Sequence, residues 1–523
     1  MGRLNDQNYN LQDNNVQEGS GRVIFTASAI ISIIFAIWGI LGHETFASAA
    51  GSLMKFLTDN FCLLYLGAAL FFVLFCLAMA FSPFGKIKLG LEDAQPEYSL
   101  VTWFAMLFAA GMGIGLVFWG IAEPLSHYVA PMKGVTPMSE ESVAFSIRSC
   151  FMHWGLHPWA CYSIMGLSLA YVVFNKKRKA LVSNLFDPML GEKHKKGIIS
   201  DAVDIYTVFL TVIGVSASFG MGCLQICAGL EYLFGIPSNV VTWVILITII
   251  SIVFIASAVS GLQKGMKYLS DTNLIIAIGL MIVAFIIGPS GQIAGDFFTG
   301  IKDYIINFIP DSIRTSAEGD RSWIQNWRVY YWAWWISWTP FVGIFIARIS
   351  KGRTIRQFIL GVMLVPTLVS AIWFSVFGGF SINVADTFTP EELAVIVSAP
   401  ETALFHIFAR YKGGMILSVV ALVLLIIFFI TSANSATFVL SMLTSGGEKN
   451  PPNRKKVFWG VLVALTSIAL VLTGNISVIQ TAGIAASFPY IIILLLLCLN
   501  IVLAIIHDLK EQKAQKTQEV QDH

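Results

Sequence analysis

Apolar segments long enough to cross a bilayer alternate with shorter polar segments along nearly the whole chain. A helix needs about 20 apolar residues to cross the roughly 30 Å of a hydrocarbon core. Twelve segments meet this length, namely residues 22–42, 61–82, 100–121, 149–174, 204–234, 238–260, 268–289, 326–348, 357–380, 415–442, 456–473 and 484–506. The pattern predicts an all-α polytopic membrane protein with twelve transmembrane helices, called spans 1 to 12 below.

The basic residues indicate how these spans are oriented. About three quarters of the 33 Lys and Arg residues fall in the N-terminal segment, the even-numbered loops and the C-terminal segment. Cytoplasmic loops carry such an excess. Residues 1–21 are polar and carry acids, without the basic-then-apolar order of a cleaved leader. We therefore expect an integral protein of the inner (cytoplasmic) membrane, surrounded by lipid, with both termini cytoplasmic.

Composition agrees with this class and excludes others. The chain is 56% hydrophobic and 12% charged, which is typical of a membrane protein rather than a soluble domain. The net charge of +2 gives no reason to expect nucleic-acid binding. The seven cysteines lack the paired spacing of a disulfide framework or zinc site.

Span 8 carries more aromatic residues than packing requires. Five of them recur at helical spacing and share one face: Trp327, Tyr331, Trp334, Trp335 and Trp338. Indole faces attract a cation that cannot donate hydrogen bonds, such as a quaternary ammonium. An interfacial aromatic belt is the alternative, and it suits Trp327 and Tyr331 better than the three deeper residues.

Span 4 adds a second aromatic group. On a continuous helix, Trp154, Trp159 and Tyr162 cover an arc of roughly 140° and can face span 8. His153 and His157 beside them have the i, i+4 spacing of a metal pair. No third ligand follows from the sequence, so hydrogen-bonded helix packing is the favoured interpretation.

Two spans are interrupted in ways that membrane helices usually avoid. Span 3 contains Gly111, Gly113 and Gly115, and span 8 contains Ser337-Trp338-Thr339-Pro340 below its aromatic face. Glycines make unwinding inexpensive and leave backbone groups open to a ligand. The five-span separation predicts an inverted repeat whose broken first helices meet at the membrane midplane. The alternative is that the glycines only allow close helix packing.

This repeat divides the chain into segments. We expect a cytoplasmic tail, two peripheral helices, a first repeat of spans 3 to 7, an external amphipathic helix and loop, a second repeat of spans 8 to 12, and a second cytoplasmic tail. Their boundaries are 1–21, 22–99, 100–289, 290–325, 326–506 and 507–523. The amphipathic helix is predicted because Phe297, Ile301, Tyr304, Ile305 and Phe308 recur at helical spacing.

The span interiors offer hydroxyls but no charges. Thr431 and Ser432 in span 10, and Thr211 and Ser218 in span 5, can supply the hard oxygen ligands of a small cation. Such hydroxyls often bond back to their own helix instead. Because a site without charge cannot neutralise a lone cation, the pattern favours a zwitterion with a methylated ammonium head. Glu123, near a span end, is interpreted as structural.

Three motifs together make the chain resemble the betaine/choline/carnitine transporters over roughly residues 20–507. They are the glycine stretch 111–115 followed by Phe-Trp-Gly-Ile-Ala-Glu-Pro at 118–124, His-Trp-Gly-Leu-His-Pro-Trp at 153–159, and Trp-Ala-Trp-Trp-Ile-Ser-Trp at 332–338 running into the basic segment 346–356. The resemblance implies secondary transport by alternating access, a leucine-transporter-like inverted repeat, a homotrimer and a role in osmoprotection.

It also implies roles for individual residues. The box around the trimethylammonium group would be Trp154, Trp159, Tyr162 and Trp335, with Trp334 and Trp338 along the path. Ser218 and the backbone of Gly111, Met112 and Gly113 would meet the carboxylate. One sodium would be held by the carbonyls of Ala109, Met112 and Phe428 and the hydroxyls of Thr431 and Ser432. A second sodium would lie near Thr211 and Phe341.

The sequence departs from the family pattern at one of these sites. Val215 stands where sodium-coupled members place a threonine, which puts the second sodium in doubt. Gly115 in place of the Asp of choline-selective members, and a span 5 without Arg, favour sodium-driven symport of glycine betaine with no other cofactor. The alternatives are a choline or carnitine transporter, including sodium-independent exchange. An osmosensory channel or polytopic membrane enzyme is disfavoured because neither a polar stripe nor a catalytic constellation is present.

Overall fold

The computed structural model describes residues 2–111, 113–190, 197–261, 263–474 and 476–521. Within these ranges the side chains at 2–20, 108–111, 188, 190, 263–265, 476–477, 516 and 519 are not described. Regular structure in the described residues is helical.

The helices cover the twelve predicted apolar segments, and several shorter helices connect them. They are α1 (Gly2–Leu41), α2 (His43–Phe81), α3 (Leu100–Gly111), α4 (Ile114–Val129), α5 (Glu140–Trp154), α6 (Leu156–Ala170), α7 (Asp187–Leu190), α8 (Ile198–Phe234), α9 (Val240–Ser260), α10 (Gln263–Ile287), α11 (Ser290–Ile313), α12 (Tyr330–Arg348), α13 (Ile355–Ile382), α14 (Pro390–Ser398), α15 (Pro400–Ala409), α16 (Gly414–Leu443), α17 (Asn453–Val471) and α18 (Ile476–Gln521). Pi-helical turns occupy Tyr171–Asn175 and Ile324–Val329, and short 3-10 turns occupy Pro83–Lys86, Ser183–Phe186 and Ala385–Thr387.

Within the described residues, nine helices are long and apolar enough to cross a membrane. The other three predicted spans fall on α3 with α4, on α12 and on α17. The first is interrupted, α12 is rich in Trp and Tyr, and α17 has three basic residues in its first turn. Helices satisfy their own backbone hydrogen bonds, which hydrocarbon requires. The predicted class, an all-α polytopic membrane protein, is confirmed.

The predicted interruption of span 3 is present. Helix α3 ends at Gly111 and α4 begins at Ile114, while Met112 lies outside the described residues. Gly113 precedes α4 in an extended conformation, with φ of −152° and ψ of −175°. The indole Nε1 of Trp373 donates to the carbonyl of Leu116 at 3.0 Å, which fixes the first turn of α4 against α13.

The predicted interruption of span 8 is wrong. Helix α12 runs without a break through Ser337–Pro340. The hydroxyls of Ser337 and Thr339 donate to the carbonyls of Trp334 and Trp335 at 2.6 and 3.0 Å. Pro340 removes only one backbone donor, and membrane helices tolerate proline when neighbouring groups compensate.

Span 4 contains a break that the sequence analysis did not predict. Helix α5 ends at Trp154 and α6 begins at Leu156, with Gly155 between them at φ −92° and ψ −131°. The hydroxyl oxygen of Tyr304 accepts from the Leu156 amide at 3.1 Å. The same hydroxyl lies 2.7 Å from the position of a Cβ on Gly155. The arc calculated for a continuous helix is therefore wrong, because Trp154 and Trp159 lie on different helices.

The helices pack in a pattern that matches the expected inverted repeat. The first helix of the second repeat, α12, packs on α6 of the first, and α4 of the first repeat packs on α13 of the second. Helices α8 and α9 pack against α16 and α17. Exchanging the two repeats turns the contact of α12 with α6 into the contact of α4 with α13, as expected for a pseudo-twofold arrangement.

The amphipathic segment forms α11, which packs on α2, α5 and α13. Tyr304 is buried, Phe297 and Phe308 are half-buried, and Ile305 points outward with 68% of its surface exposed. The C-terminal segment continues helix α18 as far as Gln521.

Candidate functional site

A cavity of about 60 Å³ lies where α4, α5, α6, α8, α12 and α16 converge. It is lined by Gly113, Ile114, Gly115, Leu116, Trp154, Pro158, Trp159, Tyr162, Ser218, Trp334, Trp335, Trp338, Val342, Ser370 and Ser432. The aromatic groups of spans 4 and 8 therefore share one hollow instead of facing lipid. Pro158, Val342 and Ser370 were not predicted, because nothing local marks them as inward-facing.

The four predicted box residues form a continuous series of rings. The ring centroids of Trp154 and Trp335 are 4.8 Å apart, those of Trp335 and Tyr162 6.5 Å, and those of Tyr162 and Trp159 5.5 Å. Each neighbouring pair meets at 73–85°, edge to face. All four rings line the cavity, and a cation within about 6 Å of the face of such a ring is attracted to it.

Helices α8 and α12 meet in antiparallel register beside the box. The hydroxyl of Tyr330 contacts the sulfur of Met221, Trp334 Nε1 donates to Ser218 Oγ at 3.1 Å, and Trp338 Nε1 donates to the Gly214 carbonyl at 3.0 Å. Trp334 stacks on Trp335 at 4.7 Å. Hydrogen bonds to α8 thus fix both tryptophans on the path, and one acceptor is the predicted Ser218 hydroxyl.

The start of α4 supplies polar groups to the cavity. Gly113, Ile114 and Gly115 line it, and the amide of Leu116 donates to the Gly113 carbonyl at 3.1 Å. Unpaired amides and the positive end of the helix dipole favour an anion at such a terminus. Gly111 ends α3, and Met112, which follows it, lies outside the described residues.

Directly behind the box lies a carboxylate that the sequence analysis placed at a span end. Glu123 is fully buried. Its Oε2 accepts from Trp154 Nε1 at 2.7 Å and from the Tyr331 hydroxyl, and its Oε1 lies 2.7 Å from His153 Nδ1. The expectation that Glu123 only supports a span end is therefore too narrow. An acid inside the apolar segment 114–125 was the signal that could have found it.

The histidine pair considered for metal binding is not arranged as one. His157 lies between the rings of Phe308 and Trp332, with its Nε2 2.9 Å from Ser312 Oγ. His153 instead joins His127 and Glu123, whose ligand atoms lie within 4.8 Å of one another. Hydrogen bonds within the group and to Trp154 already use both carboxylate oxygens.

The predicted ion ligands are partly brought to the cavity. Ser432 lines it, and the Thr431 hydroxyl lies 3.2 Å from the Phe428 carbonyl and 2.9 Å from that of Ile427. Ala109 lies in α3, and its side chain is outside the described residues. Phe428, Thr431 and Ser432 therefore lie close together on α16, and sodium binding by them stays a prediction.

At the doubtful second site, the Thr211 hydroxyl donates to the Thr207 carbonyl at 2.7 Å. Phe341 packs on Trp338 at 5.4 Å. Thr211 and Phe341 each lie one turn beyond the Gly214–Trp338 contact, so antiparallel packing directs them toward each other.

The cavity is closed on the side where α12 begins. Trp119, Trp327 and Tyr331 pack together with centroid distances of 5.5–6.4 Å, and His127 lies 4.4 Å from Trp327. A layer of packed rings this dense excludes a solute until it rearranges. The cavity and this layer together define a helical membrane transporter with a solute site midway through the bundle.

Comparison with known proteins identifies the family. The model for the BCCT, betaine/carnitine/choline family transporters matches residues 23–510. The chain therefore belongs to this transporter family and is not an enzyme.

Several curated relatives cover nearly the whole chain. The glycine betaine transporter OpuD of Bacillus subtilis is 42% identical over 496 residues, which is 94% of this chain and 96% of the relative. A probable glycine betaine transporter of Desulfitobacterium hafniense is 38% identical over 94% of this chain and 99% of its own length. An ectoine/hydroxyectoine transporter of Virgibacillus pantothenticus is 38% identical over 91% and 94%.

Proposed function

We propose that this transporter imports a quaternary-ammonium zwitterion, glycine betaine first, by sodium-coupled alternating access. The observation that carries the proposal is that one small cavity is bordered by the four-ring box on one side and by the start of α4 on another. These two surfaces complement the two ends of a betaine.

Each end of the zwitterion has a matching surface. A trimethylammonium group has no proton to donate, so ring faces stabilise it better than carbonyl oxygens do. A carboxylate is stabilised by the amides and dipole at the start of α4. Among the described residues, those that line the cavity include no Asp, Glu, Lys or Arg. A ligand that carries both charges matches both surfaces, whereas choline has no carboxylate for the start of α4.

The relatives support this choice of substrate. Two of them are named as glycine betaine transporters, and they align with 94% of the chain. An ectoine/hydroxyectoine transporter is also similar, so cyclic zwitterions are the main competitors to test. Carnitine, choline and sodium-independent exchange are the remaining alternatives.

Sodium coupling is proposed through α16 and the broken span 3. Thr431, Ser432 and the Phe428 carbonyl are grouped beside the cavity. An ion bound there would therefore interact electrostatically with a bound substrate. A second sodium near Thr211 and Phe341 has weaker support, because Val215 offers no oxygen one turn after Thr211. Ion binding would stabilise the loaded state and shift the conformational equilibrium toward closure.

The sidedness and assembly belong to the same proposal. The excess of basic residues supports cytoplasmic termini, which places the aromatic layer around Trp119 and Trp327 on the outside.

The family resemblance supports a homotrimer, which native mass spectrometry of the protein in nanodiscs would test. A monomer as the sole species would contradict it.

The central experiment is uptake of labelled betaine into proteoliposomes that contain the purified protein. We expect concentrative uptake with an inward sodium gradient and none with an equal potassium gradient. Unlabelled betaine should compete best, ahead of ectoine, carnitine and choline. Equal uptake without sodium would contradict the coupling, and stronger competition by carnitine would reassign the substrate.

A further inference from the structure

Three residues in contact with Glu123 connect it to two rings of the box. Trp154 Nε1 donates to Oε2, and Tyr331, whose hydroxyl donates to the same oxygen, stacks on Trp335 at 5.9 Å. His153 lies against Oε1, and its backbone carbonyl accepts from Trp335 Nε1 at 2.8 Å. One carboxylate therefore orients Trp154 directly and Trp335 through its neighbours.

The indole of Trp154 reaches from this carboxylate to the cavity wall. Its Nε1 is bonded to Glu123, while its Cη2 lies 3.3 Å from the position of a Cβ on Gly115, which lines the cavity. A substrate over this indole is thus separated from the carboxylate by a single ring. Both groups lie among fully buried residues, where charge is poorly screened.

We propose that Glu123 is a positioning and specificity residue. Its negative charge, placed behind the box, strengthens the preference of the box for an onium head over a neutral group of equal shape. This assignment rests on the proposed function, since it concerns the ligand of the same cavity. In this assignment the charge lies one ring away from the ligand and outside the cavity wall.

Two physical effects support the role. Trp154 and Tyr331 both donate to one oxygen of the carboxylate, so that oxygen acts as an acceptor. An anion at the indole N–H increases the electron density of the ring, and the uncancelled part of its charge attracts the substrate cation directly. The charged partners facing Glu123 are limited, among the described residues, to His127 and His153. Arg328 instead donates to the Asp311 carbonyl and lies over Trp323.

The test separates charge from ring placement by comparing two ligands. Betaine and 3,3-dimethylbutanoate have the same shape and carboxylate, but the second has carbon in place of the ammonium nitrogen. Displacement of labelled betaine from the purified protein in nanodiscs gives the ratio of their dissociation constants. In the wild type we expect a strong preference for betaine. Equal affinity for both ligands would contradict the proposed function itself.

The decisive variant is Glu123→Gln, which keeps the size and one acceptor oxygen but removes the charge. We expect its preference for betaine over the isostere to fall about tenfold, as an interaction across one ring at an effective dielectric of about 20 implies. The matched control is Tyr331→Phe, which removes one hydrogen bond to the same carboxylate but keeps the charge. Its preference should stay within about twofold of wild type, since its Coulomb interaction is unchanged.

The outcomes distinguish the possibilities. An unchanged preference in Glu123→Gln, or an equal loss in Tyr331→Phe, would overturn the proposal and leave Glu123 as a packing residue. Because a neutral residue here can impair folding, size-exclusion profiles are compared first, and Glu123→Asp provides a charge-retaining variant. Weaker binding with an intact preference in Glu123→Asp supports the proposal, and a lost preference overturns it.

Discussion

At the residue scale, four tryptophans at the cavity, Trp154, Trp334, Trp335 and Trp338, are held by hydrogen bonds to partners distant in sequence. Trp335 is bonded to His153, which lies 182 positions earlier, and Trp334 is bonded to Ser218, 116 positions earlier. Such bonds orient a ring that would otherwise sample several rotamers. The rings therefore form a preorganised surface, which lowers the free-energy cost of binding.

Replacing Trp335 with leucine tests the box. The variant keeps an apolar side chain but removes a ring face that the ligand would use. A desolvated cation–π contact is worth about 2 kcal/mol, so we expect the apparent KM for betaine uptake to rise about thirtyfold. Uptake at low substrate concentration should nearly vanish while expression and oligomeric state persist. Wild-type transport by Trp335→Leu would rule out the box assignment.

Replacing Thr431 with alanine tests the ion site. The hydroxyl lies 3.2 Å from the Phe428 carbonyl and is proposed to face sodium. Loss of one oxygen ligand should raise the sodium concentration for half-maximal uptake about tenfold, since bonds to charged groups contribute about 1.5–3 kcal/mol. Thr431→Ser should restore the wild-type value. An unchanged sodium dependence would mean that the hydroxyl only bonds to its own helix.

At the element scale, the two helix breaks position the site. The break before α4 places the start of that helix at the cavity, and the break at Gly155 allows Trp154 and Trp159 to approach the cavity from different helices. Tyr304 of α11 fills the space beside Gly155. Irregular backbone of this kind is tolerated at membrane depth only where protein surrounds it.

Gly115 provides a test of how closely these elements must approach. A Cβ there would lie 2.5 Å from Trp334 Cη2, too close for any real contact. Because overpacking costs about 1–3 kcal/mol, Gly115→Ala should displace Trp334 and weaken betaine binding about tenfold, measured by equilibrium dialysis. The control is Gly279→Ala in α10, where a Cβ meets no atom within 4 Å. Equal affinities for both variants would contradict the close-approach argument.

At the scale of the whole molecule, the bundle surrounds a small polar interior with an apolar exterior. Exposed apolar residues such as Ile34, Ile252 and Ile286 lie on helices long enough to cross a membrane. Lipid hydrocarbon can contact this apolar surface, whereas the buried polar groups need hydrogen-bond partners within the protein. The reciprocal packing of α12 on α6 and of α4 on α13 provides two halves that can move against each other.

The orientation of the whole molecule can be measured with introduced cysteines. The seven native cysteines are buried, so they should label slowly. We expect Lys412→Cys, in the exposed turn before α16, to react with a membrane-impermeant maleimide on intact cells, because it lies outside under the proposed topology. Lys510→Cys should react only after lysis. The reverse pattern would invert the assigned orientation.

The sequence by itself determined the membrane class, the helical segments and most of the residues at the cavity. Length and hydropathy decide whether a segment can cross a bilayer, and the period of 3.6 residues decides which side chains share a face. These are local properties, so Trp334, Trp335 and Trp338 could be assigned to one helix. Their meeting with Trp154, Trp159 and Tyr162 was inferred from family resemblance rather than from spacing.

Only the tertiary structure decided that span 4 breaks while span 8 does not, and which polar groups become buried. Gly155 breaks span 4 because Tyr304 occupies its side and accepts from Leu156, whereas α12 stays helical through Pro340 within the packed bundle. Glu123 became part of the site because residues from α5 and α12 surround it. Each of these outcomes depends on partners distant in sequence, and local periodicity carries no information about them.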